Sequence, residues 1–237
     1  ADVVHLSPAN HFPTGIVMPV TRRLELFEWV NRIRKRYIIE DDYDSEFRYT
    51  GRFILPLYAQ DTQSRVIYMN TFSKSLVPSL RISYMVLPPR LLERYEQTMS
   101  FYSCTVSSFE QYTLARFISE GYFERHINKM KNYYREQRHK ILAAIHSSPL
   151  AAVSQITERN AGTHFVLHIN TKLTEAEVRK AALAADICLS FYSDYSHNIE
   201  ENNGCTLVIN YAAIEADKIA AVIERLSSLF PECNQIS

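Results

Sequence analysis

Three short apolar runs, Tyr37–Asp41, Val66–Thr71 and Ile82–Leu87, constrain the fold of this chain more than any other feature. Each is apolar with little alternation, and each borders polar residues. Such a run suits burial on both faces, the setting of a strand in a parallel or mixed sheet covered by helices. The segments between and after them carry helical periodicity. Thr21 is the expected N-cap of a helix to about Lys35, with Leu24, Phe27, Val30 and Ile33 on one face. Further helices are predicted over 89–102, 108–119 and 122–146. The last carries Phe123, Ile127, Met130, Tyr134, Ile141 and Ile145 near helical spacing. Ahead of these, residues 2–18 hold a short strand and a loop, Ser7–Gly15, rich in turn residues. Strand alternating with helix is the mark of an α/β domain.

After Ser147-Ser148-Pro149 the texture changes. Strands at 152–157, 163–169, 187–191 and 205–211, with helices at 174–185 and 215–229, predict a compact α+β unit. The expected organisation is therefore a first domain over 1–147, ending in a long connecting helix, and a smaller one over 148–237.

Composition excludes several classes. The 26 Lys and Arg cancel the 26 Asp and Glu, which removes the electrostatic footprint of non-specific nucleic-acid binding. No apolar run reaches bilayer length and no signal-peptide pattern opens the chain, so a soluble, cytoplasmic protein is expected. The four cysteines, at 104, 188, 205 and 233, have no CxxC spacing and read as free thiols of a reducing compartment. Only five glycines occur, without a GxGxxG or Walker loop, so any bound phosphate must be held largely by side chains. The chain opens on Ala1 rather than Met, as a trimmed piece of a longer protein would.

Polar groups gather at the ends of the apolar runs: Glu40-Asp41-Asp42-Tyr43-Asp44, Thr71-Phe72-Ser73-Lys74, and Arg81. Loops at the carboxyl ends of strands in an α/β sheet converge on one crevice, where ligands bind. Taken singly, each residue has an ordinary structural role open to it. Lys74 fits a solvated lysine, Asp41 and Asp42 a helix cap or a metal pair, Arg81 an ion-pair partner, and Thr71 and Ser73 turn residues. Together they form the set that pyridoxal phosphate (PLP) requires: an amine for the aldehyde, a carboxylate for the pyridinium, a phenol for the ring oxygen, and hydroxyls with a guanidinium for the phosphate.

The stretches Tyr37–Tyr49 (YIIEDDYDSEFRY) and Val66–Arg81 (VIYMNTFSKSLVPSLR) resemble signatures of the MocR/GabR regulators, and His11–Gly15 and Gly121–Ile127 are also similar to that family. In these bacterial transcription factors a GntR-type winged helix-turn-helix is fused to a fold-type-I aminotransferase-like domain. The resemblance covers nearly the whole chain, with specific motifs over the first 140 residues. It implies a partial fold-type-I large domain, with a mixed, mostly parallel sheet, followed by a smaller α+β domain. It further implies Lys74 as the Schiff-base lysine, Asp41 as the pyridinium partner, and Tyr43 at the ring oxygen. Thr71, Ser73 and Arg81 would hold the phosphate, and His11 or Asn10 would lie at the ring contact. Asp41 rather than Asp42 follows from the family's Asp-x-Tyr pattern.

There are departures. The DNA-binding domain and the first stretch of the aminotransferase-like domain are expected to be absent from this chain, leaving an incomplete cofactor pocket. Asn70 stands where the family usually has Gly, and Val208 falls near the place of a substrate-carboxylate arginine. The implied function is effector sensing, with an amino-acid-like effector, a homodimer, and DNA contacted only through the missing N-terminal domain. A working aminotransferase of the same fold is the alternative.

Overall fold

The computed structural model describes residues 1–49, 54–157, 162–196 and 204–235. The chain divides into two compact units, Ala1–Phe12 with Ile16–Lys131, and Pro13–Gly15 with Asn132–Ser237. The division falls inside the longest helix, ahead of the boundary expected after residue 147.

The first unit contains a four-stranded sheet in the order β1 (Val3–Leu6), β2 (Tyr37–Asp41), β3 (Val66–Thr71), β4 (Ser83–Val86). The first three strands are parallel and β4 is antiparallel to β3. This is the mixed, mostly parallel sheet the sequence predicts. Burial on both faces holds only in part. Along β2, Ile38 and Glu40 are buried while Tyr37, Ile39 and Asp41 are only partly so. The buried face packs Ile38 and Val66 against Val30 of α1 (Val20–Arg32) and Leu57 of α2 (Leu57–Gln60), with Val4 and Leu6 beside them. On the opposite face Ile67 and Met69 are half-buried, and Val3 and Met85 are exposed.

Helix α1 begins two residues earlier than expected. Its N-cap is Pro19, without a side-chain cap, and Thr21 lies inside the first turn. Its buried face also differs from the expected one. Arg23 and Val30 are buried and Leu26 and Phe27 half-buried, whereas Leu24 and Ile33 are exposed. The reason is Arg23, whose guanidinium donates to the carbonyls of Pro8, Met18 and Leu55, and so turns a charged residue inward. Helices α3 (Phe72–Ser75), α4 (Pro89–Met99), α5 (Ser108–Ser119) and α6 (Tyr122–His146) follow.

In the second unit the C-terminal half of α6 buries Gln137, Arg138, Ile141 and Ile145. After the single turn α7 (Leu150–Val153), the strands β5 (Ser154–Thr157), β6 (His164–Ile169) and β7 (Cys205–Asn210) form an antiparallel sheet in that order. Central β6 is buried at every position but His168, and α8 (Glu175–Ala184) and α9 (Ile219–Ser228) complete the α+β unit. The expected strand at 187–191 does not form. That segment meets β7 at one bridge, Phe191 to Leu207, and then enters a 3-10 turn, Tyr192–Tyr195. Asp194 starts the turn by accepting from the Phe191 N–H at 2.9 Å, which ends the pairing.

Helix α8 carries a complete capping box. The Thr174 hydroxyl accepts from the Glu177 N–H, and Glu177 accepts from the Thr174 N–H at 2.7 Å. Thr174→Ala is expected to cost about 1 kcal/mol, read as a lower denaturant midpoint with an unchanged slope.

Candidate functional site

Because β1, β2 and β3 run parallel, the segments that follow them leave one edge of the sheet, and antiparallel β4 starts from that same edge. Every residue singled out from the sequence lies there. Asn10 and His11 follow β1, Asp41 ends β2 and Tyr43 follows it, Thr71 ends β3, Ser73 and Lys74 sit in α3, and Arg81 precedes β4. The register places Asp41 beside Met69, and Thr71 beside Ser83.

The loop after β1 is closed by a tight turn. The His11 N–H donates to the Ile16 carbonyl at 2.9 Å, and Gly15 takes the left-handed φ of 66° that such a reversal requires. Asn10 is buried in this loop. Its Nδ2 donates to Asp44 Oδ2 at 2.8 Å, and its carbonyl accepts from the Tyr43 hydroxyl at 2.8 Å. Asn10, Tyr43 and Asp44 thus tie the loop to the end of β2. His11 is exposed.

Asp41, the last residue of β2, and Asp42, just past it, point to opposite faces. Asp41 is on the more open face, its carboxylate 3.5 Å from His5 Nε2 and its side chain 35% exposed. Asp42 is on the closed face, where its Oδ2 accepts from Tyr68 at 2.8 Å and from Ser45 at 2.9 Å. The turn carrying Lys74 is built by the two hydroxyls expected at a phosphate. Thr71 Oγ1 caps α3 by accepting from the Ser73 N–H at 3.2 Å and donates to the Ile82 carbonyl at 3.3 Å. Ser73 Oγ donates to the Leu80 carbonyl at 2.9 Å. Both O–H groups are therefore spent on the backbone, while Lys74 and Arg81 stand exposed.

The sequence pattern groups Glu40, Asp42 and Asp44 with this edge but does not show that they turn inward. Glu40, Asp42 and Asp44 are buried and Glu46 is half-buried. Burial raises the pKa of all four. For Glu40 the N–H groups of Tyr58 and Leu57, each at 2.8 Å, pull the other way and fix the carboxylate at the start of α2. Asp44 is pushed up to about 7, with the Asn10 hydrogen bond and the Lys74 charge opposing its burial. Burial also raises Tyr43 and Tyr68. The sequence signal was the density of acids in Glu40–Glu46, too many for one pyridinium partner. Asn70, in the family's glycine position, belongs to the same network: its Nδ2 donates to the Tyr68 hydroxyl at 3.1 Å.

The donor set fits PLP chemically. It offers an accessible amine, an accessible guanidinium and a carboxylate on the open face, with a phenol and an amide anchored beside them. The four cysteines are free thiols, Cys205 and Cys233 buried. No group of metal-binding side chains occurs among the described residues.

A sheet of this topology with its polar groups at the carboxyl edge defines a ligand-binding α/β domain. The chain belongs to the aminotransferase class I and II family, whose model matches residues 3–226. It is 38% identical over 226 residues to the uncharacterized HTH-type transcriptional regulator YhdI of Bacillus subtilis (strain 168), covering 95% of this chain and 47% of that protein. It is 33% identical over 228 residues to the probable rhizopine catabolism regulatory protein MocR of Rhizobium meliloti, covering 96% and 45%. Among solved structures, kynurenine aminotransferase of Pyrococcus horikoshii superposes with a TM-score of 0.83 at 26% identity, covering 100% of this chain and 57% of that one. The chain spans about half the length of these regulators.

Proposed function

We propose that this chain is the effector-sensing, PLP-binding part of a bacterial transcription regulator built on an aminotransferase-like fold. The observation that carries the proposal is the convergence of Asn10, Asp41, Tyr43, Lys74 and Arg81 on one sheet edge from separate segments. Likeness to regulators favours the first of the two readings of the fold. YhdI and MocR are 38% and 33% identical to the chain, against 27% for aromatic-amino-acid aminotransferase 1 of Thermococcus litoralis. Strand β7, near which a substrate-carboxylate arginine was expected, contains no arginine, and Val208 in it is buried.

Bound PLP supplies an aldehyde for amines and an electron-withdrawing ring. Lys74 would provide the amine, Asp41 would hold a proton at the ring nitrogen, and Tyr43 would orient the ring oxygen, with Asn10 or His11 as the further ring contact. Arg81, Thr71 and Ser73 would hold the phosphate, the two hydroxyls giving up their bonds to the Ile82 and Leu80 carbonyls to do so. Residues 1–147 act as the partial large domain and 148–237 as the small one. An amino-acid-like effector shifts the protein between two states through its differential affinity for them. The protein works in the cytoplasm as a homodimer and meets DNA through an N-terminal domain outside this chain. Among the described residues no helix is long and apolar enough to cross a membrane.

The test uses the full-length protein loaded with PLP. A panel of amino acids is expected to change its visible spectrum and, at the same concentrations, its retardation of operator DNA. The 237-residue chain, with 26 basic against 26 acidic residues, is expected to retard none. Multiple-turnover transamination without any effect on DNA would establish the aminotransferase alternative instead.

A further inference from the structure

Asn10 and Asp44 are each 2% exposed and share a 2.8 Å hydrogen bond, yet Asn10 Oδ1 is buried without a hydrogen-bond partner among the described residues. The amide orientation follows from chemistry. A carboxylate only accepts, so Nδ2 must face Asp44 while Asp44 is ionised, and Oδ1 is then stranded. A buried acceptor without a donor is costly, and so is a buried carboxylate. One proton removes both costs. A neutral carboxyl accepts from Nδ2–H through its carbonyl oxygen and donates its O–H to Oδ1, making a two-point acid–amide pair.

We propose that Asp44 is held as a protonated acid that clasps the Asn10 amide at two points and thereby positions Asn10 at the sheet edge. The Tyr43 hydroxyl holds the same residue by its backbone carbonyl at 2.8 Å, so Asn10 is anchored at both ends. The groups acting on Asp44 are Lys74 from α3 and Asp42, Tyr43 and Glu46 from its own segment. Lys74 favours the ionised form and the two carboxyls oppose it, but burial is the largest influence. The geometry behind the pair is the 2.8 Å bond from Asn10 Nδ2 to Asp44 Oδ2 and the unpartnered Asn10 Oδ1. That Asn10 then meets a cofactor ring rests on the function proposed above, and Asp44 acts there as a positioning residue.

The test exploits Asp44→Asn, whose amide N–H replaces the acid O–H and keeps both points of the pair without an ionisable group. Asp44→Ala removes both points. The folded protein holds the Asp44 proton up to pH about 7, whereas an ordinary Asp releases it near 3.8. Its contribution to stability is therefore full below that lower value, falls as pH rises through the window, and is flat above it. The thermal midpoint of the wild-type chain is expected to fall across this window. Asp44→Asn is expected to match wild type at the acid end and fall less steeply, the remaining slope belonging to Glu40, Asp42 and Glu46. Asp44→Ala is expected to lie below both at the acid end. The infrared difference spectrum, wild type minus Asp44→Asn, is expected to show a protonated-carboxyl band at pH values between 3.8 and about 7. An Asp44→Asn variant as unstable as Asp44→Ala, or absence of that difference band within this range, would overturn the pair.

In the full-length protein, PLP affinity is expected to stay within about twofold in Asp44→Asn and to weaken about tenfold in Asp44→Ala. Unchanged affinity in Asp44→Ala, with the stability results as expected, would overturn the positioning role. If wild type itself binds no PLP, the proposed function fails while the acid–amide pair stands on its own stability profile.

Discussion

Lys74→Ala is expected to leave the full-length protein with no borohydride-fixed pyridoxyl group, where wild type carries one at Lys74. Of the groups at the carboxyl edge, Lys74 is the amine. It lies on a single helical turn whose geometry is set by Thr71 and Ser73 rather than by Lys74 itself. Its side chain is exposed, and its loss empties no core position, so the effect is chemical and the fold should survive. Peptide mapping by mass spectrometry after reduction reads the result. A label on another lysine, with Lys74 unmodified, would refute the assignment. The same turn gives a control: Ser73→Ala removes the bond to the Leu80 carbonyl and is expected to loosen the turn without abolishing the label.

Asp41→Asn is expected to weaken PLP binding by roughly 10- to 150-fold, the equivalent of about 1.5–3 kcal/mol for a hydrogen bond to a charged partner. It is also expected to change the cofactor's visible spectrum, because an amide cannot hold the ring nitrogen protonated. The structure separates the two adjacent acids. Asp42 is 5% exposed and already accepts from Tyr68 and Ser45 on the closed face. Asp41 ends the strand on the open face, with His5 beside it. Asp42→Asn is therefore expected to act mainly on folding stability. Equilibrium dialysis and a spectral titration of both variants check this. An unaltered affinity in Asp41→Asn together with a weakened one in Asp42→Asn would transfer the role to Asp42.

The candidate site was legible because it is written in short segments and because those segments resemble a family's signatures. A strand that stops in acid, and a Ser-Lys turn between two apolar strands, put Asp41, Tyr43, Lys74 and Arg81 in one place once the sheet is parallel. The sheet follows from local apolar runs, so no long-range information was needed. What could not be read locally was which residues turn inward. Leu24 and Arg23 are neighbours on α1, and periodicity chose the leucine. The structure buries the arginine because the carbonyls of Pro8, Met18 and Leu55 arrive from other segments to receive its donors. The segment 187–191 has the composition of a strand, yet the Asp194 cap and the 3-10 turn after Phe191 stop it from pairing.

By itself, the sequence determined the strand and helix alternation, the parallel edge and the polar groups that gather on it. These depend on burial patterns and chain direction, which are properties of contiguous residues. Only the tertiary structure decided that Asp41 faces the open side and Asp42 the closed one, and that Asp44 is buried against Asn10. It also decided that Thr71 and Ser73 spend their protons on the backbone. These outcomes depend on partners outside the residue's own element, from Leu80 seven residues past Ser73 to Asn10 34 residues before Asp44, and burial of a carboxyl or a hydroxyl is set by what those partners supply in place of water.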